Sequence, residues 1–225
     1  VAATNVRIRD QAATSGKIVE TLPIGTWGKV LAVSKTSETL LGKTAPWYKI
    51  NANENEGWIF GGLTLATNAN ERFSNALKII SLQLADEKKS AADLIQTLEY
   101  AARTAEMASH SLEKARLESA IFQLLDRIYT HLATGGEDKS QHPDAIAKYY
   151  KFCYYHESAG QCFVKPDTYW ELAEKYADIL EAGEEIAWRA ARQQMPGESE
   201  GDPDMMIFFY ENGLGRYIES YPEGK

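Results

Sequence analysis

Trp47-Tyr48-Lys49-Ile50 and Gly57-Trp58-Ile59-Phe60, separated by the polar interval 51–56, decide how the front of this chain folds. Each run is short and rich in aromatic and β-branched residues, and the Asn/Glu-rich interval between them suits a turn. Two antiparallel strands so joined put alternate side chains on one face. The reading is a β-hairpin. Working outward from it, residues 5–9 alternate in polarity, Ile18-Val19-Glu20-Thr21-Leu22 follows Thr14-Ser15-Gly16, and Pro23-Ile24-Gly25 turns the chain into a third strand over 27–33. Residues 34–46 read as a longer polar loop, Gly61-Gly62 bends the backbone, and Leu63-Thr64-Leu65 closes the set. Short strands spaced by turn signals are the pattern of a small barrel.

The charge divides the chain at about the same place. Residues 1–68 hold seven Lys/Arg against five Asp/Glu, whereas 69–225 hold 17 against 27, which accounts for the net charge of −8 over 225 residues. An acidic C-terminal part repels phosphate backbones, so nucleic acid is not expected as a partner. No apolar run approaches the roughly 18 residues that cross a bilayer, so no transmembrane segment is expected. The sequence starts at Val1, as it would either after removal of an export leader or if the chain had simply been cut there. Cys153 and Cys162, nine positions apart, could close a small disulfide loop in an oxidising compartment or remain two buried thiols.

Val6-Arg7-Ile8-Arg9, then residues 14–25, then Trp47-Tyr48-Lys49-Ile50 and Gly57-Trp58-Ile59 resemble, in that order, the bacterial SH3-like (SH3b) domain. Arg7-Ile8-Arg9-Asp10-Gln11-Ala12 stands where that family usually has Asn-Val-Arg-Ser-Gly-Pro, so the first loop departs from the family pattern. The resemblance implies a five- to six-stranded barrel, a place in the cell envelope of an exported protein, and a wall- or peptide-binding accessory role without catalysis.

Residues 66–70 are small and polar and read as the linker. Beyond them the apolar period changes from two to about 3.6, the signature of helices. Leu77, Ile80 and Leu84 open the pattern, Leu94, Ile95, Leu98, Ala101, Ala102 and Ala105 continue it, and Leu117, Ile121, Leu124, Leu125, Ile128 and Leu132 give the clearest stripe, ended by Gly135-Gly136. Pro143-Asp144, Pro166-Asp167 and Pro203-Asp204 each set a proline and an acid where a helix begins. Helices are therefore expected near 143–156, 167–192 and 203–220, the middle one breaking at Gly183. Ile186-Ala187-Trp188-Arg189-Ala190-Ala191 with Phe208-Phe209-Tyr210 and residues 215–225 is loosely similar to a tetratricopeptide-type helical pair, small residues on one helix admitting aromatics of the other. No 34-residue period runs from 70 to 185, so an irregular helical bundle is expected.

Candidate chemistry is sparse. Cys153 and Cys162 with His110, His131, His142 and His156 supply the atoms of a thiol–imidazole site, but neither cysteine lies in the Asp-Cys-Ser-Gly-like turn used by cell-wall amidases that carry SH3-like domains. Cys153, His156, Cys162 and His142 have the donors for a tetrahedral metal site, though the surrounding tyrosines suit an aromatic seam between helices better. The densest aromatic cluster, Tyr149, Tyr150, Phe152, Tyr154, Tyr155, Phe163, Tyr169 and Trp170, reads as core or as the lining of a groove. Tyr155, His156 and Glu157, in its most polar part, are the candidate edge of such a groove. In the strand module, Trp27, Trp47, Tyr48, Trp58 and Phe60 cannot all be buried in some 60 residues: Arg9 or Lys49 beside an exposed ring could hold a peptide carboxylate, or the spare tryptophan could equally pack on the helical part. Acid runs such as Glu184-Glu185 and 198–202 suit a solvated face and a loop.

These observations imply an α+β, multidomain chain: a small SH3-like β-barrel over residues 1–66, followed by an all-α helical bundle over 70–225. The expected function is non-catalytic binding of a peptide, a peptidoglycan component or a protein partner, at the barrel loops or the groove between domains. Arg9, Trp47, Tyr48, Trp58, Phe60, Tyr155, His156 and Glu157 are the candidate ligand-binding residues, and no catalytic residue, metal or cofactor is expected. The competing expectation is a cell-wall hydrolase, or an accessory to one, that uses Cys/His chemistry in the helical part.

Overall fold

The structure, a computed structural model, describes residues 1–132, 144–193 and 202–224. The chain forms two compact units, Val1–Lys89 and Ser90–Lys225.

The first unit is built on five antiparallel strands: β1 (Val6–Arg9), β2 (Ile18–Leu22), β3 (Lys29–Leu40), β4 (Lys43–Ala52) and β5 (Asn55–Phe60), in the order β2-β1-β5-β4-β3. The β4–β5 hairpin pairs Trp47 with Phe60, Tyr48 with Ile59, Lys49 with Trp58 and Ile50 with Gly57. Its turn residues Asn53 and Glu54 both have positive φ, +50° and +67°, as a two-residue turn matching the right-handed twist of the strands requires. Val6, Ile8, Leu22, Ile50, Ala52 and Ile59 form a buried cluster on one side of the sheet, with Tyr48 and Leu63 packed against it.

Two expectations need correction here. No ladder joins β2 to β3, so the sheet has two edges and is not closed into a barrel by strand pairing. Residues 34–46 are not a loop: β3 and β4 continue through them to a turn at Leu41 and Gly42, both with positive φ. Polar residues on both faces hid these strands. Thr39 and Thr44 nevertheless face each other across the ladder, their hydroxyl oxygens 2.8 Å apart, and cross-strand threonine pairs of this kind stabilise a sheet. Pro46 sits beside the irregularity between Val33 and Ser37, the setting in which a strand tolerates proline. The first helix, α1 (Arg72–Ala85), falls within the first unit. The Gln83 amide at its far end donates to the Ala2 carbonyl at 2.8 Å.

The second unit begins with α2 (Ala91–Met107) and α3 (Leu112–Leu132). Ser90 caps α2 by accepting from the Asp93 N–H, and its hydroxyl also donates to the Asp93 carboxylate at 2.7 Å. The apolar stripes expected from sequence are buried: Leu94, Leu98, Ala101 and Ala105 on α2, and Leu117, Leu124, Leu125 and Ile128 on α3. Thr97 and Thr104 share the buried side of α2 because each hydroxyl donates to the carbonyl four residues earlier. Gly135-Gly136 lies outside the described residues.

The expected helix over 143–156 is replaced by one short turn, α4 (Asp144–Ala147), and a 3₁₀ turn, Tyr150–Phe152. A β-ribbon follows, β6 (Cys153–His156) paired with β7 (Gln161–Val164), so this unit is not all-α. Pro143 lies outside the described residues. Aromatic and β-branched residues at 152–155 and 163–164, with a glycine at 160 whose φ is +64°, favour the ribbon. The helix expected over 167–192 is two, α5 (Pro166–Lys175) and α6 (Leu180–Ala191), and it breaks at Tyr176–Ile179 instead of Gly183. Gly183 sits inside α6, where a Cβ would come within 2.9 Å of the Tyr221 hydroxyl. The third expectation fits: α7 (Pro203–Tyr210) runs through a π turn, Glu211–Gly215, into α8 (Arg216–Ser220).

A buried polar knot holds this unit together. The Asp126 carboxylate on α3 accepts from the Val164 N–H (2.9 Å), the Tyr169 hydroxyl (3.1 Å) and the Gln193 amide (2.9 Å). Burial lifts its pKa above the ordinary value, while the three donors pull the other way. One carboxylate thus ties α3 to β7, to α5 and to the residues just beyond α6.

Candidate functional site

The register of the sheet builds the site. Residues directly opposite each other in neighbouring strands share a face, and so do residues two apart in one strand. Lys49 pairs with Trp58, and Trp58 pairs with Arg9. The result is a row, Arg9–Trp58–Lys49, across β1, β5 and β4 on the side opposite the Val6–Ile59 core cluster. Arg7, two residues before Arg9, and Lys29, paired with Asn51, fall on the same side. Arg7, Arg9, Lys29 and Lys49 therefore share one sheet face.

Gly57 makes this approach possible. A Cβ there would lie 2.3 Å from the Ile8 side chain and 2.7 Å from the Arg9 carbonyl oxygen, so only glycine lets β1 come this close to β5. Arg9 is held by its Nη1, which donates to the Gly16 carbonyl at 2.6 Å, and Asp10 accepts from the Lys17 N–H at 2.7 Å. These two contacts shape the first loop in the absence of a Gly-Pro turn. Lys49 is half exposed and pairs with Glu56 at 3.2 Å, on the same face. A surface ion pair of this kind is worth no more than about 1 kcal/mol, so it holds Lys49 only weakly.

Trp47 and Phe60 lie beyond Lys49 and Trp58 on this side, but both are buried and in edge-to-face contact at 5.8 Å. The Trp47 indole N–H donates to Glu38 at 2.8 Å, and its backbone N–H to the Ser34 hydroxyl at 2.9 Å. They brace the face and offer it no surface. Tyr48 turns to the core side with Ile59. Trp27, which cannot be told from the other indoles by sequence, is the exposed one at 40 %.

The three candidates in the second unit are not brought together. Tyr155 pairs with Cys162, whereas His156 faces the other way with the rings of Tyr154 and Phe163 at 6.2 and 6.0 Å. The His156 Nδ1 faces the Ser158 hydroxyl at 3.1 Å and accepts from the Ala159 N–H at 3.4 Å. It therefore serves the ribbon turn. Glu157 is exposed in that turn. Cys153 and Cys162 are buried thiols not joined to each other. Their pairing with Val164 and Tyr155 puts them diagonally on one face of the ribbon, and the Cys153 thiol faces the Tyr149 carbonyl at 3.6 Å. Among the described residues no group of three or more His, Cys, Asp or Glu is placed to hold a metal ion, and His142 lies outside them. The aromatic cluster is part core and part surface: Tyr149, Tyr169 and Trp170 are buried and Phe122 packs edge-on against Phe152 and Tyr169, while Tyr150, Phe152, Tyr154, Tyr155 and Phe163 are half-buried.

Sequence reasoning missed Arg7 and Lys29, because the strand pairings that set them on the same face as Trp58 join segments remote in the chain. No helix among the described residues is long and apolar enough to cross a membrane. Comparison with known proteins finds no matching family model, no similar curated protein and no similar solved structure.

Proposed function

We propose that this chain is a non-catalytic binding protein of the exported, envelope-associated kind, in which an SH3-like first unit recognises a carboxylate-bearing peptide, such as a wall stem peptide or the tail of a protein partner. The observation that carries the reading is the Arg9–Trp58–Lys49 row in continuous register across three strands. An indole flanked by two cations suits a flexible chain that ends in an acid. The ring supplies contact area at low entropic cost, and the cations supply charge-assisted hydrogen bonds. The resemblance of residues 5–65 to SH3b modules supports the peptide or wall setting, and the second unit serves as the helical scaffold.

Calorimetric titration with a short peptide bearing a free C-terminal carboxylate, and with its C-terminal amide, tests this. The acid is expected to bind and the amide to bind more weakly. Trp58→Ala and Lys49→Ala are each expected to weaken the acid roughly tenfold. Equal binding of acid and amide, or no effect of either variant in a folded protein, overturns the reading. Release of soluble fragments from peptidoglycan that is lost in Cys153→Ser or Cys162→Ser would replace it with the hydrolase reading.

A further inference from the structure

A second place in the molecule has the makings of a ligand site, and it lies wholly within the second unit. A pocket of about 390 Å³ is lined by Tyr154 from the ribbon, by Lys165, Pro166 and Asp167 at the start of α5, and by Phe208, Asn212 and Arg216 from the C-terminal helix. That volume lies at the small end of the range for small-molecule sites. Its chemistry is divided. Tyr154 and Phe208 give an aromatic wall, and Phe208 is 48 % exposed, a large apolar ring left in contact with water. Lys165 and Arg216 give two cations.

Both cations are held in place with donors to spare. Lys165 Nζ donates one bond, to the Lys151 carbonyl at 3.0 Å, out of three available. The Arg216 guanidinium stacks over Trp170 at 4.3 Å and spends one N–H group on Glu174 at 3.0 Å. A guanidinium fixed on a ring and by one carboxylate presents the rest of its fork without further loss of rotamer freedom. The start of α5 adds the positive end of a ten-residue helix, and Pro166 at its first position removes no bonded N–H. The Asn212 amide donates to the Phe208 carbonyl at 2.9 Å, which leaves its oxygen as an acceptor beside the aromatic wall.

We propose that this pocket binds a small organic anion with an aromatic or branched apolar body, its acid group held by Arg216 and Lys165 and its body packed on Phe208 and Tyr154. A carboxylate and a phosphate monoester share this chemistry. Asp167 also lines the pocket and is exposed, so the acid group is expected on the Arg216 and Lys165 side, away from its carboxylate.

Titration of the full chain by calorimetry and ligand-observed NMR tests the site with three probes: N-acetyl-L-phenylalanine, phenyl phosphate and the neutral N-acetyl-L-phenylalaninamide. Binding of either anion in the millimolar range or tighter, with the amide roughly tenfold weaker, is expected. Which anion binds better tells the carboxylate source from the phosphate source. Lys165→Gln and Arg216→Gln are each expected to weaken the anions about fivefold to tenfold and leave the amide unchanged. Phe208→Ala, at an exposed position that does not threaten folding, is expected to weaken all three probes. Trp58→Ala removes any share of the carboxylate probe that the sheet face takes, and the anion binding that depends on Lys165 and Arg216 is expected to persist in it, which separates this pocket from the sheet face. The proposal is overturned if no anion binds, if the amide binds as well as the acids, if Lys165→Gln and Phe208→Ala both leave binding intact, or if binding is lost with Trp58.

Discussion

Asp126 shows how much one residue can decide. A carboxylate with three neutral donors and no cation among its bonded partners is costly to charge when buried, and its pKa is raised accordingly. An acid whose folded pKa exceeds its unfolded value is bound more tightly by protons in the fold. Its stabilising effect is therefore full below the unfolded value, near pH 4, and is lost as pH rises through the folded value. Urea unfolding of Asp126→Asn across pH 4 to 7 is expected to show a smaller fall in stability with rising pH than the parent shows. An identical slope in both would contradict this. Tyr169→Phe removes one of the three donors and is expected to cost about 1–2 kcal/mol at neutral pH, less in acid, by the same measurement. Nothing in the sequence marks Asp126: a lone acid inside a helix reads as a solvated one until the partners from β7, α5 and residue 193 are in place. Gly57 is the opposite case, since its position before Trp58 was conspicuous but its reason was not. Gly57→Ala drives a methyl into Ile8 and the Arg9 carbonyl, and thermal unfolding is expected to show a loss of about 2–3 kcal/mol.

At the level of elements, the β4–β5 hairpin was legible because its alternation and its turn agree. Once the turn is placed at Asn53-Glu54, the pairing of Lys49 with Trp58 follows by counting. Half of the proposed binding row could thus be read from a dozen residues. The other half could not, because Arg9 reaches Trp58 only through the pairing of β1 with β5, two strands far apart in the chain. The β3–β4 hairpin escaped for a different reason: polar side chains on both faces carry no period. The ribbon at 153–164 escaped because proline-acid pairs on either side drew the reading toward helix. Turn chemistry is also a place to test the hairpin. Glu54 adopts a left-handed conformation, with φ at +67°, that glycine takes without strain. Glu54→Gly is expected to raise stability by about 0.5–1 kcal/mol in chemical denaturation, and a loss would mean that the turn is built otherwise.

For the molecule as a whole, the change in charge and in apolar period near residue 70 told that two kinds of structure follow one another, and that remains true. Composition could not tell that α1 goes with the sheet, since its buried residues include Asn75 and Gln83 and its ties run back to Thr67 and Ala2. A fragment covering 1–89 is accordingly expected to unfold at a higher denaturant midpoint than one covering 1–68, and equal midpoints would show that α1 adds nothing to the first unit. Recognition at a cationic, aromatic sheet face is the claim on which the functional reading stands. Its most direct measurement is a ¹H–¹⁵N NMR titration of the full chain with a peptide carrying a free C-terminal carboxylate. The Trp58 indole and the backbone signals of Arg9 and Lys49 are expected to shift together and saturably, while the buried Trp47 indole stays in place. Shifts that leave Trp58 unmoved, or that appear equally with the amidated peptide, would contradict it.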